Sequence, residues 1–152
     1  MFSFFRKKKD FFSPEEQQLI IESIHNAERM TSGEVRVFVE SKCSYVDAID
    51  RAAELFFQLE MQKTDDRNAV LLYVAMKDRQ LAVFGDEGIH KKVGNEYWNN
   101  EVHKMITNFN RENYAAGIVT VVKDIGDALT KYFPYIKETH KNELPDDIVF
   151  GK

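Results

Sequence analysis

The stretch Asn68 to Gly88 constrains the fold of this chain more than any other. Ala69 to Ala75 is an unbroken apolar run. It has strand length, and a strand with no polar face must be covered on both sides. Lys77-Asp78-Arg79 interrupts it, and Leu81 to Phe84 reads as the returning strand of a hairpin. That strand ends in Gly85-Asp86-Glu87-Gly88, two glycines around two carboxylates, and a helical pattern follows at once. An acidic turn between a buried strand and a helix is a natural place for chemistry.

The segments around the hairpin supply its cover. Ser13-Pro14-Glu15-Glu16 is a helix start, with Ser13 as cap, Pro14 at the first helical position and Glu16 closing a capping box. Ile20, Ile24 and Ala27 form its apolar stripe to about Thr31, and Gly33 is placed to end it in a left-handed conformation. Glu34 to Glu40 alternates Val35, Val37 and Val39 with Arg36, Phe38 and Glu40, a first strand whose second face is also covered because of Phe38. A second helix is expected over Tyr45 to Gln62, with Ile49, Ala52, Ala53, Phe56 and Leu59 inward. A third is expected over Ile89 to Phe109, and a fourth over Tyr114 to Tyr132, stopped by Phe133-Pro134. Gly117 and Gly126 lie inside the fourth at a cost of about 1 kcal/mol each, which close helix packing would offset.

Strand, helix, strand implies a parallel pair with a right-handed crossover, and the hairpin then adds an antiparallel strand. The expected fold is α/β, a three-layer α/β/α sandwich around a small mixed sheet of three strands, with room for a short fourth. Val37, Val39, Phe56, Val70, Leu72, Val74, Ile106, Ile118, Val122 and Leu129 are its expected core. Residues 1–12 read as a loose N-terminal segment, 13–134 as the domain and 135–152 as a polar tail with an apolar end at Ile148-Val149-Phe150.

With 152 residues, 43% of them hydrophobic, the chain fits one domain. A net charge of -4 argues against nucleic acid, whose binders carry a basic face. Cys43 is the only cysteine, so there is no disulfide framework and a reducing, cytoplasmic location is expected. No stretch approaches the ~18 apolar residues of a membrane span. Arg6-Lys7-Lys8-Lys9 among five phenylalanines reads either as a weak membrane-surface contact or as a terminus whose last phenylalanines pack on the core. The apolar residues flank these charges, which is not the order of a signal peptide.

The expected topology brings carboxylates together. The end of the third strand, Asp86-Glu87, lies at the same edge of the sheet as the starts of the first two, where Glu34 and Asp65-Asp66 stand. Gathered carboxylates repel unless a cation compensates. A hard cation such as Ca²⁺ or Mg²⁺ takes oxygen ligands of this kind, and backbone carbonyls at Gly85 and Gly88 can join them. On this reading Asp86→Asn should leave the metal-free fold no less stable. The competing reading is a solvated acidic edge, with Glu87 favouring the helix start. His25, His90, His103 and His140 sit on different elements and make no metal motif.

Several of these segments together resemble one family. They are Thr31-Ser32-Gly33-Glu34-Val35-Arg36-Val37, Asp66 to Ala75, Asp78-Arg79 through Gly85-Asp86-Glu87-Gly88-Ile89, and Tyr114-Ala115-Ala116-Gly117-Ile118 with Gly126, Leu129, Phe133 and Pro134. The pattern is similar to the TPM-domain family, named for thylakoid-lumen, photosystem-assembly and worm acetylcholine-receptor-associated members. Ala69 stands where that pattern has glycine. The resemblance implies an α/β/α sandwich and a divalent-cation site, usually for Ca²⁺. It leaves two functions open. One is a non-catalytic Ca²⁺-binding module acting through an unknown protein partner. The other is a metal-dependent acid phosphatase acting on small phosphate esters, with Asp65, Asp66 or Glu34 as base.

Overall fold

The computed structural model describes residues 11–110, 113–135 and 148–151. Their elements run α1 (Pro14–Glu28), β1 (Glu34–Glu40), α2 (Ala48–Gln58), β2 (Ala69–Ala75), β3 (Gln80–Gly85), α3 (Glu87–Asn110), α4 (Tyr114–Tyr132) and β4 (Val149–Phe150). The sheet order is β3-β2-β1-β4. β1 runs parallel to both β2 and β4, and β2 is antiparallel to β3. This is the expected small mixed sheet, and its fourth strand comes from the apolar end of the segment read as a tail, where Val149 and Phe150 pair with β1.

Alternation along the strands divides the core in two. Val35, Val37 and Val39 point with Val70, Leu72 and Val74 toward α1, α3 and α4. Phe38, Leu71 and Tyr73 point the other way, where Phe56 and Leu55 of α2 cover them. Every residue of β2 is buried, as its apolar run requires.

The capping box at Ser13 and Glu16 forms with both bonds in place, at 3.1 and 2.9 Å. Gly33 does not take the left-handed conformation, which among the glycines belongs to Gly94. Its role is steric: a Cβ there would lie 2.7 Å from the Leu129 side chain. Gly126 similarly admits Ala27 of α1 against the backbone of α4. That approach offsets the propensity cost of a glycine in a helix. The α1–β1 turn also holds the end of α4. Thr31 Oγ1 donates toward Leu129 and Phe133 carbonyls, Ser32 N–H bonds Phe133 O at 3.1 Å, and Tyr135 N–H bonds Met30 O at 2.8 Å.

One expected core residue, Ile106, and one residue of an expected apolar helix face, Ile49, are exposed. Ile106 is 42% exposed. The backbone of α3 breaks at Gly94 (φ 79°, ψ 172°), so one helical phase does not run through it. After the break the inward stripe is Trp98, Glu101, Met105 and Phe109. A glutamate in that stripe hides its phase from hydrophobic periodicity. Ile49 is 45% exposed because α2 begins at Ala48, three residues later than expected, and its first turn rims a groove.

Phe12 is buried and Phe11 stacks on Phe150 at 6.3 Å. Residues 1–10, on which the membrane-surface reading rests, lie outside the described residues. Among the described residues no helix is long and apolar enough to cross a membrane.

Candidate functional site

The acidic turn is built by the hairpin and the start of α3. Asp86 extends the β2–β3 ladder by donating its N–H to Ala69 O at 2.9 Å. Its own carbonyl accepts His90 N–H at 2.9 Å, opening α3. Gly88 lies against the preceding turn, with its N–H on Arg67 O at 2.8 Å. A Cβ at Gly88 would come within 2.1 Å of Asp66 O, so only glycine lets these backbones meet. Arg67 itself takes a left-handed conformation (φ 51°), which turns its side chain back over Asp86.

Asp86 is nearly fully buried, at 3% exposure, and it does not sit there as a free carboxylate. Arg67 Nε donates to Oδ2 at 2.6 Å and Nη2 to Oδ1 at 2.8 Å, while Glu87 N–H donates to Oδ1 at 2.8 Å. Arg67 Nη1 also reaches Glu87 Oε1 at 3.1 Å. The hydrogen bond to Asp86 raises the pKa of Arg67 further above its usual value. The guanidinium therefore offsets one of the two carboxylate charges expected to need a cation, and it does so chiefly at Asp86.

The remaining expected ligands are placed as the topology requires, but not in one cluster. Glu34 pairs with Ala69 in register, and Asp86 follows Gly85 opposite Ala69 from the other side. Glu34 and Asp86 thus share a row two strands apart, about 10 Å between backbones. Glu34 is buried, and Asp65 and Asp66 are exposed on the turn before β2. Among the described residues no three histidine, cysteine, aspartate or glutamate side chains are grouped to hold one ion.

The residues fit a hard cation in kind. Asp86 and Glu87 offer carboxylates, the Asp66 and Arg67 carbonyls press on Gly88, and Asn68 Oδ1 is buried at this end of the sheet with no partner among the described residues. Arg67 is the group any such ion would have to displace.

A groove of about 860 Å³ runs from this corner along β3, between α2 and α3. Leu81 to Gly85 form its floor, Ile49 and Phe57 one wall, and His90, Trp98 and Asn99 the other. The Trp98 ring lies against Gly85, where a Cβ would come within 2.3 Å of it. Trp98 Nε1 donates to His90 Nδ1 at 3.0 Å, which fixes Nδ1 as an acceptor.

Three polar features were not foreseen in the sequence. One is Arg67, which reads locally as a solvated charge before a strand. The second is at the opposite end of the sheet: buried Glu40 accepts Arg51 Nε at 3.0 Å and Nη2 at 3.1 Å, and Tyr73 donates its hydroxyl to the same carboxylate. Burial and this bond push the Tyr73 hydroxyl pKa up. The third is Glu101, at 3% exposure beneath α4, with Lys104 at 3.2 Å and that lysine also on Asp124 at 2.7 Å. Burial raises the Glu101 carboxyl to about 7.

Comparison with known proteins agrees with this architecture. The TPM domain family profile matches residues 6–128, and the chain belongs to that family. The chain is similar to the solution structure of the BA42 protein from the psychrophilic bacterium Bizionia argentinensis. They share 38% identity over 93% of this chain and 96% of that one, with a TM-score of 0.84. An N-terminal domain from P. gingivalis shares the fold at 17% identity and TM-score 0.64, over 87% of this chain and 82% of that one. The N-terminal domain of cg2496 from Corynebacterium glutamicum does so at 13% identity and TM-score 0.57, over 78% and 74%. No curated protein matches.

Proposed function

We propose that this TPM domain is a non-catalytic divalent-cation module whose ion enters at the Arg67–Asp86–Glu87 corner. The observation that carries the reading is the buried Asp86 carboxylate, already held by a positive group that also reaches Glu87, on a turn whose Gly88 packs against the Asp66 and Arg67 carbonyls. A cation that displaces Arg67 would meet oxygen donors carried on turns. Such donors suit Ca²⁺, which accepts six to eight oxygens at adjustable distances, better than Mg²⁺, which demands near-octahedral geometry. Arg67 is 37% exposed at its side chain, so it can leave for solvent. Ion binding and the Arg67 pair are then alternatives, and the module has two states with a partner to sense them.

Calorimetric titration with Ca²⁺ and Mg²⁺, chelator as control, tests this. Ca²⁺ should bind wild type and raise its Tm, Mg²⁺ should do less, and Arg67→Gln should bind Ca²⁺ at least several-fold more tightly because the competitor is gone. No Ca²⁺-dependent heat or Tm shift in either protein would return the corner to a structural ion pair.

Hydrolysis of small phosphate esters is the alternative. The groove lining contains no serine, threonine or cysteine to act as nucleophile. It would depend on a bound metal, with a metal-activated water, a lining carboxylate or His90 as nucleophile. Turnover of a generic phosphate ester that disappears with Asp86→Asn would favour it.

A further inference from the structure

The outer edge of β3 is the most unusual surface of the fold. Sheets end in rows of unpaired backbone groups, and proteins protect these with lysine, proline, bulges or short strands. β3 is six residues long, Gln-Leu-Ala-Val-Phe-Gly, and carries none of these. Among the described strands none pairs with it beyond β2. The bond from Asp86 N–H to Ala69 O sets the phase of the ladder. In an antiparallel pair the bonding residues alternate. Gln80, Ala82 and Phe84 therefore turn their backbone groups toward β2, and Leu81, Val83 and Gly85 turn theirs away. Those outward groups lie along the floor of the groove.

We propose that this edge receives an extended, net basic segment of a partner protein, which joins the sheet as a further strand. Three outward-facing residues give a ladder for about six residues of peptide, roughly 20 Å long. On the α2 side its alternate side chains would meet Ile49 and Phe57, which are 45% and 48% exposed in the absence of such a partner. Those positions call for apolar residues. On the α3 side the intervening positions would meet His90, Asn95 and Asn99, which call for hydrogen-bonding residues.

Charge selects the partner further. Asp47, Asp86 and Glu87 line the groove against Arg67 alone among lysines and arginines. Arg67 is already committed to Asp86. Asp47 precedes α2 and Glu87 follows β3, and with Asp86 they outnumber Arg67, so the groove lining is net acidic. A segment with basic residues flanking an alternating apolar core complements all of these features.

The test uses a pooled set of fluorescein-labelled heptapeptides with valine or phenylalanine at every second position and lysine at both ends, titrated with the whole chain and read by anisotropy. Saturable binding is expected. It should fall at least tenfold when alternate peptide amides are N-methylated, which removes backbone donors and leaves the side chains. It should fall at least tenfold when the terminal lysines become glutamates. Leu81→Pro removes an outward N–H and should abolish binding. Phe57→Lys changes a half-exposed wall residue and should weaken binding, with a cooperative melt as the check that it folds, so the proposal stays testable if Leu81→Pro does not fold. Binding indifferent to N-methylation, or no saturable binding by any peptide in the set, overturns it. So does a peptide-insensitive dimer of the whole chain that Leu81→Pro makes monomeric, since the edge would then belong to a second copy.

Discussion

Arg67 and Asp86 meet through two parallel hydrogen bonds, at 2.6 and 2.8 Å, although 19 residues separate them. This pair reverses the stability expected of a neutralised acidic edge. Asp86 is not repelled by neighbours but held by a cation, and removing its charge leaves Arg67 and the Glu87 N–H with a weaker acceptor. Asp86→Asn should therefore lower the metal-free melting temperature, at about 2 to 4 °C per kcal/mol for a chain of this size. A thermal melt in chelator decides it. An unchanged or higher Tm would mean that the pair contributes nothing net.

Arg51→Met should cost about 3 kcal/mol, because Glu40 stays buried after its bidentate partner has gone. Tyr73 still donates to that carboxylate, which keeps the loss at the lower end of the range for broken buried pairs. The double variant Arg51→Met with Glu40→Gln should recover part of the loss. Urea unfolding of the single and double variants measures both.

Glu101 makes stability fall as pH rises. Its carboxyl, near 4.5 when unfolded, is raised to about 7 by burial first and by Asp124 second. The folded state holds the proton more tightly, so its contribution is complete below pH 4.5 and is lost as pH climbs through about 7. The loss is on the order of 3 kcal/mol at 1.36 kcal/mol per unit. Glu101→Gln should flatten this slope and be the more stable protein at pH 8. Denaturant midpoints between pH 5 and 8 check the sign.

Leu72→Ala and Ile106→Ala separate the two ends of the burial scale. Leu72 is fully buried on the central strand and should cost about 2 to 5 kcal/mol when truncated. Ile106 is 42% exposed and should cost below about 1 kcal/mol. Equal losses in the two midpoints would place the helix α3 stripe where hydrophobic periodicity puts it.

The hairpin, the parallel pair and the helix caps were legible because each is written in local pattern. Ala69 to Ala75 has no polar face, and Ser13-Pro14-Glu15-Glu16 carries its own start signal. The partners of polar groups were not legible in this way. Arg67, Glu40 and Glu101 look like surface charges in sequence, and only the sheet order and the kink at Gly94 decide what each one touches. The acidic edge was found at the right place for a topological reason, since Glu34 and Asp86 do flank Ala69. Its counter-charge, Arg67, lies two residues before the apolar strand β2, outside the apolar pattern that marks the strand.

The clasp between the α1–β1 turn and the end of α4 has a consequence for the order in which a growing chain can fold. Thr31 and Ser32 leave the ribosome about 100 residues before Phe133, whose carbonyl they bind. Until then the valine face of β1 and β2 lacks α4, a principal part of its cover. At 5 to 20 residues per second that is roughly 5 to 20 s of synthesis. Through that interval an apolar sheet face stands open, and a nascent chain stalled before Leu129 presents the surface that chaperones recognise.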